Sequence, residues 1–237
     1  MSAIITFYVA LACIFALQFE FSAASEHDWW RSNPNIYQIS TLSFKDSNGD
    51  GRGDIQGIIS KLDYFVETGI DVLLLTPFYR TSFVDFGYDI SNHIEVDPVF
   101  GSMSDIEELI LKAKEKGLKI VIDFVPNHTS HNHEWFTKSE NNERGFEDFY
   151  VWHDGVATIN YGRPMHPNYW VSEYGGFSWK WSTKREAYYY HKFAEEQPEL
   201  NLRENRVVLE LNKILEFWLD KGVDGFRVDA VSELFED

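Results

Sequence analysis

An arginine and an aspartate two positions apart, Arg227 and Asp229, close a short apolar run, Gly225-Phe-Arg-Val-Asp-Ala230. In an extended strand such residues project to the same side. A guanidinium there favours the ionised form of the acid, the form a carboxylate nucleophile needs. Two other segments carry chemistry of the same kind, Asp123-Phe-Val-Pro-Asn127-His128 and Phe86-Gly-Tyr88-Asp89. Taken singly, each has a plain structural reading: a core ion pair, a hydrogen-bonded loop pair, a turn. A fourth segment, Asp46-Ser-Asn48-Gly-Asp50-Gly-Arg52-Gly-Asp54, alternates oxygen-bearing side chains around glycines, which suits a hard cation such as Ca²⁺. It is not an EF-hand, because Gly57 stands where the closing Glu belongs. A run of Asx turns with Asp54 capping the next helix is the competing reading.

The elements that must position these groups alternate. Ile36–Ile39 reads as a first strand, followed by a helix with apolar residues at Ile55, Ile58, Ile59, Leu62, Phe65 and Val66. Val72–Leu75 is the second strand. The next helix opens on Ser104-Asp-Ile-Glu107 as a capping box and ends at Gly117. Ile120–Ile122 is the third strand. A helix carrying Val207, Val208, Leu211, Ile214, Leu215 and Trp218 leads to a last strand over Val223–Ala230. Near-continuous apolar strands alternating with helices imply a parallel sheet covered by helices. A doubly wound open sheet and the first half of an eight-stranded barrel both fit that pattern. Between Pro126 and Leu202 the pattern lapses into a stretch rich in Trp, Tyr, Asn, His and Gly. It is too long for a loop and is read as an inserted small domain.

A formal net charge of −17 argues against nucleic acid or an anionic membrane as partner. Residues 1–24, apolar from Ile4 to Leu17 and ending in small residues, read as a secretory leader. No Lys or Arg precedes the apolar run, so a retained anchor is the alternative. The sole cysteine, Cys13, lies inside that segment. A secreted mature chain would then have no disulfide. The expected organisation is a leader over 1–24, barrel over 25–125, insert over 126–202 and barrel again over 203–237.

In order, Trp29-Trp30, Ile36–Ile39, Asp46–Asp54, Gly87-Tyr-Asp-Ile90, Asp123–His128, Gln197-Pro-Glu-Leu-Asn201 and Gly225–Val231 resemble the α-amylase superfamily, and within it the insect maltase branch. The resemblance implies an α/β fold, the first half (about four β/α units) of a TIM-type β/α barrel with a small domain inserted after the third strand. It implies Asp229 as nucleophile with Arg227 as charge partner, and Tyr88, Asp89 and His128 as sugar binders. Asp123 and Asn127 would hold the site in shape, so the Asn127-His-Thr129 sequon is expected to stay unglycosylated. Asp46, Asn48, Asp50, Asp54 and the Arg52 carbonyl would bind Ca²⁺ or Mg²⁺. Ala230 resembles the α-1,4-preferring members, where 1,6-preferring ones tend to carry Val.

The implied reaction is retaining hydrolysis of maltose and short α-glucosides by a secreted enzyme. Membrane attachment is expected only with a retained leader or an anchor supplied elsewhere. Two departures stand out: Ser40-Thr-Leu-Ser-Phe44 replaces the family's Tyr-Pro-Arg-Ser-Phe, and Glu199 replaces an Asp. The family's general acid comes from a fifth strand, beyond Asp237. These residues by themselves are therefore expected to bind but not turn over. The rival class is a non-catalytic homologue of the same fold, such as a transporter heavy subunit. A nucleotide binder is disfavoured, since the acidic Asp46–Asp54 loop would repel phosphate.

Overall fold

The computed structural model describes residues 28–160 and 162–235. The expected leader with Cys13 lies outside the described residues. The chain divides at Asn35 into two units. The described part of the first holds one 3-10 turn, Trp29–Ser32. The second unit, from Ile36 onward, holds the sheet, the helices and every chemical motif named above. Among the described residues no helix is long and apolar enough to cross a membrane.

The strands and helices of this unit, in chain order, are β1 (Ile36–Ile39), α1 (Ile55–Ile59), α2 (Leu62–Glu67), β2 (Val72–Leu75), β3 (Tyr79–Thr81), β4 (Ile90–Val96), α3 (Met103–Glu115), β5 (Lys119–Phe124), α4 (Glu134–Glu140), β6 (Trp152–His153), β7 (Val156–Asn160), β8 (Arg163–Met165), β9 (Trp179–Ser182), β10 (Ala187–Tyr190), α5 (Asn205–Asp220) and β11 (Gly225–Val228). Strands β1, β2, β5 and β11 form one parallel sheet in that order. Gln38, Leu74, Val121 and Gly225 fall in one register row, and Asp123 pairs with Arg227 in β11. One register choice thus brings two of the chemical motifs together. The helices bury Ile55, Ile58, Leu62, Phe65, Ile106, Leu109, Val207, Leu211 and Trp218 in a common core with the sheet.

Three local readings change. The helix expected over Ile55–Val66 is two helices, broken at Ser60–Lys61. There the Ser60 hydroxyl donates to the Gly57 carbonyl at 2.6 Å, a local bond that competes with the helical ladder. The capping box of α3 is Ser102 with Asp105, two positions earlier than Ser104–Glu107. The Ser104 hydroxyl instead meets that of Ser102 at 2.8 Å. The hairpin β3–β4 after β2 is absent from the sequence reading: three and seven residues with bulged pairing give little periodic signal.

Residues 126–202 hold α4, a three-stranded antiparallel sheet (β6-β10-β9) and the pair β7–β8. Their Phe136, Phe149, Tyr150, Tyr189 and Leu200 join the main core, and only Trp179, Tyr188 and Tyr190 form a separate buried cluster. Residues 126–202 are thus packed into the same core as the parallel sheet.

Within β4, His93 is buried among Tyr79, His133 and Trp135. Neither ring nitrogen has a well-formed hydrogen bond. Burial pushes its imidazole down to about 4, and the nearby Val125 carbonyl offsets only part of that. Burial likewise holds His128 at about 4 and His133 well below its ordinary value. Since the folded forms resist protonation, their stability contribution is full above pH ~6.5 and is lost as pH falls toward 4. Each of the first two is expected to forfeit about 2 kcal/mol by pH 5. Denaturation measured between pH 7.5 and 4.5 should show that slope, and His93→Phe should flatten it. An equally steep slope in the variant would refute the assignment.

Candidate active site

Asp229 follows β11 directly, and its backbone N–H still bonds the Phe124 carbonyl at 2.9 Å. The chain then turns sharply, with Ala230 in the left-handed conformation at φ 50°. Arg227 donates from Nη1 to Asp229 Oδ1 at 2.5 Å and to Asp123 Oδ1 at 3.1 Å. Tyr88 donates its hydroxyl to Asp123 Oδ2 at 2.8 Å, and the Tyr79 hydroxyl bonds the Asp123 carbonyl at 2.6 Å. Asp123, fully buried, is thus a hub tying β3, the loop before β4 and β11 to one point. Burial raises the pKa of Asp229, and Arg227 and the Ala230 N–H pull it back. The guanidinium opposes protonation as the sequence suggests, but desolvation is the larger influence.

Asp229 opens on a hollow of about 220 Å³ lined by Asp85, Tyr88, His128, Tyr174 and Phe193. Gln197, fully buried, joins two of these walls: its Nε2 lies 3.1 Å from His128 Nε2 and donates to Asp85 Oδ2 at 3.1 Å. The Tyr174 hydroxyl donates to the same Asp85 oxygen at 3.1 Å. Phe193 packs on His128 with ring centroids 5.2 Å apart. One carboxylate beside a cation, a second carboxylate, a neutral imidazole and three aromatic rings make a pocket suited to a neutral polyol with apolar ring faces. A larger hollow, about 350 Å³, lies beside His93, His133 and α5. It contains none of these groups.

Of the expected sugar binders, Tyr88 and His128 line the hollow and Asp89 does not. Asp89 is fully buried, and its carboxylate accepts from Thr81 Oγ1 at 2.7 Å and from the backbone N–H groups of Ser82, Val84 and Asp85. It pins a loop whose Phe83 and Phe86 both have positive φ, a strained conformation that needs such support. The carboxylate that loop presents is Asp85. The sequence offers two aspartates four residues apart, and only the identity of the one committed to the loop's own backbone separates them. Asp85, Tyr174 and Phe193 escape the sequence reading, and Gln197 enters it only as part of a motif without a role, for related reasons: three of the four lie within residues 126–202, where no period places a side chain.

Asn127 is buried, 1 % exposed, with its Nδ2 donating to Glu199 Oε2 at 3.3 Å. Glu199 reaches it across the bridge pairing His128 with Glu199. The sequon is therefore sealed in the folded chain.

In the Asp46–Asp54 loop, Asp46 accepts from the N–H groups of Asn48, Gly49 and Gly51, Asn48 from Asp50 and Asp50 from Arg52. Asp54 caps α1 through the Gly57 N–H at 2.6 Å and takes the Ser47 N–H with its other oxygen. The Asx-turn reading is thus realised. Among the described residues no three acidic or histidine side chains converge as a metal cluster. The donors still fit a hard cation in kind. The loop N–H groups hold Asp46 below the ordinary carboxylate range, and every side chain named retains a lone pair.

Residues 38–237 match the family model of the α-amylase catalytic domain. The chain is 50 % identical over 210 residues to Maltase 1 of Drosophila virilis, covering 89 % of this chain and 33 % of that protein. It is 48 % identical over 209 residues to the human amino acid transporter heavy chain SLC3A1, covering 88 % and 30 %. A crystal structure of the α-glucosyl transfer enzyme XgtA superposes with a TM-score of 0.83 at 47 % identity, covering 88 % of this chain and 38 % of that one. The chain spans about a third of the length of the curated relatives it matches. The four parallel strands and their helices are the first β/α units of a TIM-type barrel, and the chain belongs to the α-amylase catalytic-domain family.

Proposed function

We propose that this chain supplies the nucleophile side of a retaining α-glucosidase acting on maltose and short α-1,4-glucosides. The observation that carries the reading is the Asp229 carboxylate, bonded to Arg227 and facing a glucose-sized hollow walled by Asp85, Tyr88 and His128. In the reaction, Asp229 attacks the anomeric carbon as the glycosidic C–O bond breaks, giving a glycosyl ester. Water then cleaves that ester with net retention. Asp85 and His128 would hold sugar hydroxyls, and the Tyr88 ring would lie against the pyranose.

A retaining mechanism also needs a general acid roughly 5–5.5 Å from the nucleophile. Among the described residues the only other carboxylate lining the hollow is Asp85, already engaged by Tyr174 and Gln197. These residues alone are therefore proposed to bind sugar without turnover. The test is an assay with maltose and a chromogenic α-glucoside on two proteins. One is the purified chain; the other is the chain joined to the C-terminal two thirds of the Drosophila virilis maltase. Silence from the first and hydrolysis by the second are expected. A second reading, a non-catalytic subunit, is favoured by the similarity to the SLC3A1 heavy chain. It wins if the completed protein folds yet leaves both substrates intact.

We also propose that Asp46, Asn48, Asp50, Asp54 and the Arg52 carbonyl hold Ca²⁺, with Mg²⁺ as the lesser fit to so flexible an oxygen set. The cation would be structural, tying the loop after β1 to α1. At a hundredfold excess over its dissociation constant, Ca²⁺ should stabilise the chain by about 2.7 kcal/mol, and EDTA should remove that gain. Identical melting with Ca²⁺ and with EDTA would rule the site out. Secretion through residues 1–24 is part of the same proposal.

A further inference from the structure

Gln197 touches two walls of the hollow without lining it, and its amide has only one tenable orientation. The side chain is fully buried. Its Oε1 accepts the Ala194 N–H at 3.0 Å, and its Nε2 faces Asp85 Oδ2 at 3.1 Å. A backbone N–H can only donate, and an ionised carboxylate can only accept. Turning the amide over would set N–H against N–H and oxygen against oxygen, so the network itself assigns the two ends. The backbone closes the same turn, with the Gln197 N–H bonded to the Ala194 carbonyl at 2.9 Å.

That orientation points the second hydrogen of Gln197 Nε2 at His128 Nε2, 3.1 Å away. A donor there needs a lone pair on the ring nitrogen, which leaves the imidazole proton on Nδ1. The Tyr88 backbone carbonyl bonds the same imidazole and calls for a ring N–H. Asn127 Nδ2 also approaches the ring, 3.4 Å from Nδ1. A neutral imidazole has one acceptor nitrogen and cannot serve both amides. The shorter contact is that of Gln197, and Asn127 has Glu199 Oε2 to bond at 3.3 Å. On the other wall, Asp85 Oδ2 takes the Tyr174 hydroxyl as well as the Gln197 amide, so Oδ1 is the oxygen left for a ligand.

We propose that Gln197 is a positioning residue of this site: it keeps His128 protonated on Nδ1, so that Nε2 can only accept, and it holds the Asp85 carboxylate beside that nitrogen. Both groups it touches are then acceptors, and a sugar hydroxyl that reaches either must be the donor. The proposal takes the identity of the ligand from the α-glucosidase reading. It deepens that reading by naming what sets the hydrogen-bonding sense of the wall.

The experiment is long-range ¹H–¹⁵N correlation of the imidazole nitrogens in the purified chain at neutral pH, without sugar. The His128 signals are assigned by their loss in His128→Gln. Nε2 should give the signal of an unprotonated nitrogen and Nδ1 that of a protonated one. Gln197→Glu replaces the donor facing His128 by an oxygen and should draw the proton to Nε2. Gln197→Met keeps the length of the side chain without a donor, and should weaken maltose binding about tenfold in calorimetric titration. The parent spectrum needs no variant to fold: a proton on His128 Nε2 there overturns the proposal. So does a Gln197→Glu spectrum with the parent's tautomer, or a Gln197→Met chain that binds maltose as tightly as the parent. Failure of the glucosidase reading looks different. The parent then shows the expected tautomer, Gln197→Glu moves the proton, and maltose does not bind; the hold of Gln197 on His128 is upheld and only the sugar is wrong.

Discussion

Asp229→Asn is expected to lower hydrolysis by the completed enzyme about 10⁴-fold or more, with little change in maltose binding. The substitution keeps the shape and the hydrogen-bonding reach of the side chain but removes the charge and lone-pair density that form the glycosyl ester. Effects of this size follow when a group that forms the covalent intermediate is lost. The geometry sharpens the expectation, because Arg227 would remain aimed at an amide, its charge then answered by Asp123 alone. The kinetic signature is a collapse of kcat without a matching rise in KM. A variant retaining a tenth of the parent's kcat would show that another group attacks the sugar. Asp85→Ala, by contrast, should raise KM, since Asp85 lines the same hollow as the nucleophile.

Gly57→Ala is expected to destabilise the fold by about 3–5 kcal/mol, although it adds one methyl group at a helix position where Ala is normally favoured. A Cβ there would stand 2.0 Å from the Lys45 carbonyl oxygen and 2.8 Å from its carbon. That carbonyl accepts the Asp54 N–H at 3.0 Å, so the backbone cannot yield without disturbing the α1 cap. Relief requires the loop after β1 to lift off α1. Gly49→Ala is the contrasting control. Nothing lies within 4 Å of its added Cβ, and its φ of +86° alone should cost about 1 kcal/mol. Chemical denaturation of the two variants decides the matter; equal losses would mean that backbone conformation, not the close approach, sets the requirement. If the loop holds Ca²⁺, Gly57→Ala should weaken that affinity as well.

Gly57 also marks a limit to what the residue order carries. Along the chain it signals only the absence of an EF-hand glutamate; its need for a missing Cβ arises from Lys45, twelve residues away, and no local pattern reports it. The parallel strands were legible because each is a short, largely apolar run, and the two central ones, β2 and β5, are buried on both faces while the edge strands β1 and β11 are partly exposed. The bounds of β1 and β2 coincide with the runs read from the residues. Arg227 and Asp229 were legible for the same reason, since a period of two is enough to place them on one side. Asp85 and Asp89 were not separable, because which of two loop carboxylates turns inward depends on the backbone N–H groups of Ser82, Val84 and Asp85. The insert resisted longest. Its aromatic residues serve a core, a hollow and an outer face with no common period, so composition shows that rings are needed and not which way any of them looks.

The left-handed turn at Ala230 bears on which residues can stand at that position. A β-branched residue there would have to sit where such side chains are seldom tolerated. The Asp229 carboxylate immediately precedes this turn, so a substitution at Ala230 acts on the hinge that aims the carboxylate as well as on the space beside it. Replacing Ala230 should therefore disturb the orientation of Asp229 even where the new side chain meets no neighbour.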